Sequence, residues 1–264
     1  MTHLSDLAPT DRLPGVHMQG IVTRRFLITY PVRPEALASA VPPGAELMLH
    51  KGLAWVSACF VHIAGMRPAT STTSVPEEWG LDFNYLIHRT LARLPYPDGK
   101  HRPSVLVLEA NINRPLLGLV ARTLTGVRFQ NRDISLTELS DSWVVKVNGW
   151  SDALGALDVL YEAEIDKASI GPDIASSSQF ASASEADRFL LGISFGGQWE
   201  PEAHQVRLLA ETHEPWQTFV GGCITKRHAF LESLGVQGAA ADHVITMTDI
   251  PHYFALRGIV VPCP

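Results

Sequence analysis

What constrains this chain most is a recurring pattern: short stretches in which apolar and polar residues alternate, each ended by proline or glycine. About a dozen of them follow one another at roughly ten-residue spacing. GIVTRRFLITYPV from Gly20, LAWVSACFVHIAG from Leu53, LDFNYLIHRTLARL from Leu81 and PSVLVLEANI from Pro103 are rich in β-branched and aromatic residues and read as strands. SWVVKVNGW and ALDVLYEAEID continue the pattern, as do the shorter AELMLH, ISFGGQWE, QVRLLAETHEP, WQTFVGGCITK, HVITMTDI and YFALRGIVV. So many strands leave edges that must be paired, and a closed or nearly closed sheet pairs them. The 18 prolines and 20 glycines are spread along the 264 residues, which favours strands and turns over long helices. The expected fold class is mainly β (α+β): one antiparallel β-barrel or cone spanning 19–264, with a few short flanking helices. Residues 1–18, polar and proline-bearing, read as an N-terminal arm.

Four stretches read as helices. PEALASAV has proline in its first turn and stops at Pro42-Pro43-Gly44. EADRFLLGI follows Ser184 as its N-cap, with Glu185 and Asp187 favouring the helix dipole, and HAFLESLG lies later in the chain. The best-patterned stretch runs from Asn113 to Thr137. Pro115 suits a first helical position, and Leu116, Leu119, Val120 and Leu124 recur at helical spacing. Through Gly126 the helix feeds a strand in which Val127, Phe129, Ile134 and Leu136 alternate with polar partners, with one slip near Asp133. Residues 66–80 and 168–183 lack periodicity and read as loops, the first a candidate mobile segment.

Composition excludes several classes. A net charge of −6 without a dense Lys/Arg run argues against nucleic acid. No apolar run nears the ~20 residues that span a bilayer, and no basic-then-apolar leader precedes the first strand, so no membrane association and a cytoplasmic location are expected. Cys59, Cys223 and Cys263 are odd in number and widely spaced, as reduced thiols are. His213-Glu214 lacks the second histidine of a zinc motif, since Gln217 stands four residues on; no metal and no cofactor are expected.

Three constellations carry candidate chemistry. On the strand at Leu81, Asp82, Asn84, Leu86 and His88 share one face, and Phe83, Tyr85, Ile87 and Arg89 the other. The first face reads as solvated polarity, or else Asn84 or Tyr85 turns inward as a donor to a ligand. Arg122, Arg128, Gln130, Asn131, Arg132 and Asp133 gather at the helix-to-strand junction, either as a solvated face or with an arginine placed for a carboxylate. Glu211 to Trp216 combines His213 with Pro215 and Trp216, a structural corner or a site.

The order of these pieces resembles the YqjF-like proteins, an uncharacterised family of the acetoacetate decarboxylase-like superfamily. RRFLITYPVRPEALASAVPPGAEL, GLAWVSACFVHIAGMRP, FNYLIHRT, the stretch from Arg102 to Ile134, and FLLGISFGGQ with VRLLAETHEPW carry the likeness. It runs from about Gly20 to Trp216, and the tail from His228 to Pro264 is not placed by it. The resemblance implies a barrel or cone of antiparallel strands around a mostly apolar cavity. In the decarboxylases a lysine in the strand after R-E-x-x-G forms an imine with a β-keto acid, its pKa lowered by a neighbouring lysine. Here Arg122 and Gly126 match the Arg and Gly, but the lysine positions fall on Phe129 and Gln130. The superfamily's pocket glutamate falls on Tyr85, and no lysine lies between Lys100 and Lys146. The expectation is a pocket for a small, largely apolar keto or carboxylate molecule without imine chemistry. Arg122 would orient the anionic or carbonyl end, with Asn84, Tyr85 and Gln130 as hydrogen-bonding partners beside Phe129, and Trp216 as a wall. His213 is the candidate acid/base near neutral pH. Three classes stay open: a lyase, hydratase or cyclase working through Tyr85 and His213, a non-catalytic ligand-binding or sensing barrel, and, with less support, a structural or oligomer-forming protein with a filled core. A homo-oligomer is compatible with each.

Overall fold

A computed structural model describes residues 17–69, 76–150, 157–193, 195–213, 216–255 and 259–263. The expected arm falls almost wholly on residues 1–16, outside the described residues. The strands in chain order are β1 (His17–Val32), β2 (Glu46–Leu47), β3 (Ala54–Ala69), β4 (Leu81–Pro95) and β5 (His101–Ile112). Helix α1 (Pro115–Thr125) leads to β6 (Gln130–Asn131), β7 (Asp133–Glu138), β8 (Ser142–Trp150) and β9 (Leu157–Asp166). Then follow α2 (Ala183–Leu190), β10 (Phe195–Glu200), β11 (Gln205–His213), β12 (Phe219–Gly221), β13 (Cys223–His228) and α3 (Ala229–Ser233). The chain closes with β14 (His243–Met247), β15 (Ile250–Ala255) and β16 (Ile259–Pro262).

The strands form a 12-stranded sheet and a 4-stranded sheet, the latter ordered β13-β9-β8-β7. In the large sheet β1 pairs β3, β3 pairs β4, β4 pairs β5, β5 pairs β10, β10 pairs β11, β11 pairs β15, and β15 returns to β1. The pairing thus runs round a cone, mainly β as the alternation implies. It is antiparallel except where β5 meets β10 and β6 in parallel. The outer wall packs on the small sheet. Phe26, Ile28 and Tyr30 of β1, Val56, Ala58 and Phe60 of β3 and Leu86 of β4 meet Val145, Val147, Tyr161, Ala163 and Ile165 there. The inner wall forms a second apolar cluster, including Leu27, Trp55, Cys59, Val61, Ile63, Leu91, Ile112 and Ile245. Phe180, Ala186 and Leu190 of α2 and the loop before it join that cluster.

Tertiary packing moves several expected boundaries. The cap of α2 is Ser182, not Ser184: its side chain accepts from Glu185 N–H at 3.2 Å, so the helix starts at Ala183. PEALASAV makes only a 3-10 turn at Pro34–Leu37, and AELMLH forms a ladder with β4 at Glu46–Leu47 and a single bridge from His50 to Leu53. WQTFVGGCITK breaks at Gly222, because β12 pairs β14 in the large sheet while β13 pairs β9 in the small one. The chain changes sheets there, and Gly221 has no room for a Cβ, which would stand 2.5 Å from Ile170 Cδ1. HVITMTDI divides at Asp249, whose positive φ of 54° kinks the chain between two strands that both pair with β1. The loop expected at 66–80 is shorter, since β3 continues to Ala69 and Glu77–Trp79 forms a 3-10 turn; 70–75 lie outside the described residues.

The largest correction concerns α1. Pro115 does open it and Gly126, at φ 77°, does close it, with Gly126 N–H donating to Arg122 O at 2.9 Å. The face read as apolar nevertheless points outward: Leu116 is 67% exposed and Leu119 61%. The helix lies on the cone through Leu117 and Gly118 instead. A Cβ at Gly118 would stand 3.1 Å from Ile112 and 3.6 Å from Phe129, so a larger residue would need Ile112 to give by a few tenths of an ångström at this close approach.

Candidate ligand site

The register stacks the inner wall in rows, since residues opposite one another across adjacent strands face the same side. Tyr85, Val61, Arg25 and Met247 make one row across β4, β3, β1 and β14. Two residues along each strand lies an apolar row, Ile87, Cys59, Leu27 and Ile245. Two further on comes a second polar row, Arg89, Ser57, Thr29 and His243, all buried. A slip in register between His88 and Arg89 in the β4–β5 pair lets β4 take this path beside β5. Helix α1 with Phe129 covers the end near Tyr85, and α2 covers the end near Arg89, whose Nη2 donates to Leu190 O at 3.2 Å.

Of the residues expected to form a site, three lie against the inner cluster: Tyr85, Phe129 and Trp216. All three are half-buried. Trp216 stacks on a residue that sequence reasoning missed: the guanidinium carbon of the buried Arg25 lies 5.1 Å from its ring centre. That distance suits a cation–π contact. The only signal for Arg25 in the sequence was an arginine at an inward position of an otherwise apolar strand, and the adjacent Arg24 masked which of the two turns inward. Arg24 turns out to face the other side and stacks on Trp143, 4.8 Å from its ring.

The other expected residues sit elsewhere. Arg122 is exposed in the last turn of α1, and the exposed Gln130 accepts from Arg132 Nη2 at 2.5 Å. Asn84 lies on the outer face of β4, where its Oδ1 stands 2.6 Å from His62 Nδ1 and its Nδ2 donates to Ile134 O at 3.0 Å. It thereby ties the cone to the small sheet. The face it shares with Leu86 and His88 is not solvated polarity, because the small sheet covers it and buries both. His88 Nδ1 lies 3.2 Å from Glu109 Oε1. Burial alone would raise the Glu109 carboxyl, but hydrogen bonds from His88 and Asn111 bring it below the usual range. His213 occupies the last position of β11, where its backbone pairs with His252 of β15.

Lysine placement bears on the chemistry. All five lysines fall within the described residues, and none stands in the three inner rows. Lys146 lies on β8 of the small sheet, 3.6 Å from Glu162; Lys167 pairs with Glu138 and Lys226 with Glu164. Lys51 and Lys100 are exposed.

The cone of strands with short helices over its ends matches the folds of solved acetoacetate decarboxylase-like proteins. An acetoacetate decarboxylase from Legionella pneumophila subsp. pneumophila str. Philadelphia 1 aligns over 92% of this chain and 86% of its own, with a TM-score of 0.59 and 13% identity. The enduracididine biosynthesis enzyme MppR, complexed with pyruvate, aligns over 96% and 95% with a TM-score of 0.57 and 13% identity. An acetoacetate decarboxylase-like enzyme from Sphingomonas wittichii RW1 aligns over 99% of both chains, TM-score 0.56, 12% identity. At such identities the likeness is one of fold. The model of the family DUF2071, "Uncharacterized conserved protein (COG2071)", matches residues 22–250, and the chain belongs to that family. No curated protein matches. Among the described residues no helix is long and apolar enough to cross a membrane.

Proposed function

We propose that the cone binds a small, largely apolar molecule carrying a carboxylate and a ketone, and that it does so without forming an imine. The observation that carries this reading is the row Tyr85–Val61–Arg25–Met247 with Trp216 stacked on Arg25. A guanidinium over an indole in an apolar cluster suits a carboxylate, which guanidinium can bind through paired N–H donors. Tyr85 lies two strand spacings from Arg25, about 10 Å away, so its hydroxyl suits a second polar atom of the ligand. Phe129 takes the place that a Schiff-base lysine would hold and adds apolar surface. Arg122, Gln130 and Asn84 then contribute to the surroundings of the site rather than to its lining, and His213 stays a candidate acid/base at the end of β11. The fold neighbour that holds pyruvate supports a keto acid as the first class to try.

The reading is tested by thermal shift with pyruvate, acetoacetate and 5-oxohexanoate, in the parent and in Arg25→Gln. At a probe concentration of 100 Kd, stabilisation of about 2.7 kcal/mol is expected in the parent and little or none in the variant. Equal stabilisation of both proteins would sink Arg25 as the anchor. Borohydride added with the same ketones is expected to leave the mass of the protein unchanged, because none of the five lysines stands in the three inner rows.

A further inference from the structure

The deeper polar row, Arg89–Ser57–Thr29–His243, is not needed to hold a carboxylate at Arg25, yet it is buried in an apolar interior. Its most organised member is His243. Asp242 Oδ2 lies 2.7 Å from His243 Nδ1, and the same oxygen accepts from Ser178 Oγ at 2.6 Å, while Oδ1 accepts from Gln179 N–H at 2.9 Å. Asp242 is itself fixed by its own N–H, which donates to Thr29 O at 2.8 Å. Thr29 Oγ1 donates to His243 O at 3.1 Å and stands 3.3 Å from Nδ1. Nδ1 is therefore engaged from two sides, which leaves the lone pair of the uncharged ring on Nε2. Among the described residues Nε2 has no hydrogen-bond partner, and neither have Trp55 Nε1 and His50 Nε2.

These three ring nitrogens belong to side chains grouped around Phe180. Its ring lies 4.4 Å from that of His50, 4.5 Å from that of Trp55 and 5.6 Å from that of His243, edge-on at 89°. Orphaned Nε2 atoms also occur at the buried His88 and His228; His243 differs in standing in the inner row, beside the unpartnered nitrogens of Trp55 and His50. The carboxylate already anchors the Ser178–Phe180 turn without the imidazole.

We propose that Asp242 and His243 form a proton-transfer pair of the interior site, with His243 Nε2 removing a proton from a carbon beside the ligand's ketone. This rests on the ligand reading above and specifies it. The C–H bond breaks, its proton passes to Nε2, and its electron pair forms the enolate carbon–carbon bond while charge moves onto the ketone oxygen. Ser57, Thr29 and Arg89 stand in the same row as that oxygen, and return of the proton restores the ketone. Asp242 is the positioning residue, holding the tautomer and offsetting the charge of the protonated ring. Phe180, buried among these rings, would have to turn aside to admit the ligand. Thr29 lies four residues from Arg25, about 13 Å along β1, with Leu27 and Cys59 between the two rows. The arginine side chain covers part of that span, so the ligand's carboxylate and ketone are separated by several carbons. An α-keto acid is too short to reach both rows.

The test follows deuterium exchange beside the ketone of 5-oxohexanoate in D2O by proton NMR, with pyruvate as the short control. The parent is expected to speed exchange of 5-oxohexanoate about a hundredfold over buffer and to leave pyruvate near the buffer rate. His243→Gln should return exchange to the buffer rate. Asp242→Asn should lower the maximal rate at least about tenfold while leaving the half-saturating concentration unchanged. If His243→Gln does not fold, Asp242→Asn decides alone, and an unchanged maximal rate overturns the pair. Stabilisation by 5-oxohexanoate without exchange would overturn the pair and leave the ligand reading standing; absence of stabilisation by any of the probes would remove both.

Discussion

His228 shows how burial in this fold sets the protonation of a single side chain. It ends β13, its Nδ1 accepts from Leu231 N–H at 3.3 Å, and it thereby caps α3. Burial first, then the ring of His88 whose centre lies 5.0 Å away, press its pKa from 6.5 to about 2. The unfolded chain binds a proton near pH 6.5 and the folded chain does not, so stability present above that pH is lost as pH falls from about 6.5 towards 2. Melting temperatures between pH 7 and pH 4 should fall less steeply for His228→Asn, which keeps a capping side chain and cannot titrate, than for the parent. Equal slopes would mean that His228 is protonated in the folded state. Legibility in the sequence differs from residue to residue. Tyr85, Phe129 and Trp216 were singled out through resemblance, and each packs against the inner cluster. Arg25 was not found, because which of two adjacent arginines turns inward depends on the pairing of β1 with β3 and β14.

At the scale of the element, α1 and α2 make opposite points. Both ends of α1 follow from local chemistry, Pro115 at the start and left-handed Gly126 at the close. Gly126→Ala should cost at least about 1–2 kcal/mol for the left-handed conformation. The added methyl also meets Arg207, which is paired with Glu200 at 2.9 Å. A denaturant midpoint equal to that of the parent would refute this. The face of α1 was not legible: its spacing makes Leu116 and Leu119 look buried, yet a close approach at Gly118 rotates the helix the other way. Leu119→Glu should therefore change stability by no more than about 0.5 kcal/mol. In α2 the cap moved two residues, since Ser182 rather than Ser184 has the extended backbone a cap requires. Ser182→Ala should cost about 1 kcal/mol, and a loss found at Ser184 instead would restore the sequence reading.

For the whole molecule, the decisive feature is that two sheets share one core. Leu86 is fully buried where β4 faces the small sheet, in the same cluster as Ile134, Val145 and Tyr161. Leu86→Ala should cost about 2–5 kcal/mol, far more than any surface change on α1. The two sheets are expected to unfold together, so far-UV circular dichroism and tryptophan fluorescence should give coincident transitions. Trp55 reports on the cone and Trp143 on the small sheet. Two separated transitions would show that the small sheet is stable apart from the cone.

Sequence by itself determined the β-rich class, the longer strands, the limits of α1 and the absence of a lysine from the helix–strand segment. These depend on side-chain period, proline and glycine, which act over a few residues. Tertiary structure alone decided the division into two sheets, the outward face of α1, the burial of Leu86 and His88, and the meeting of Arg25 with Trp216 and of His243 with Phe180. Each of these joins segments far apart in the chain. Alternation tells that a strand has two faces, but which one meets a partner is fixed by register with strands that no local pattern identifies.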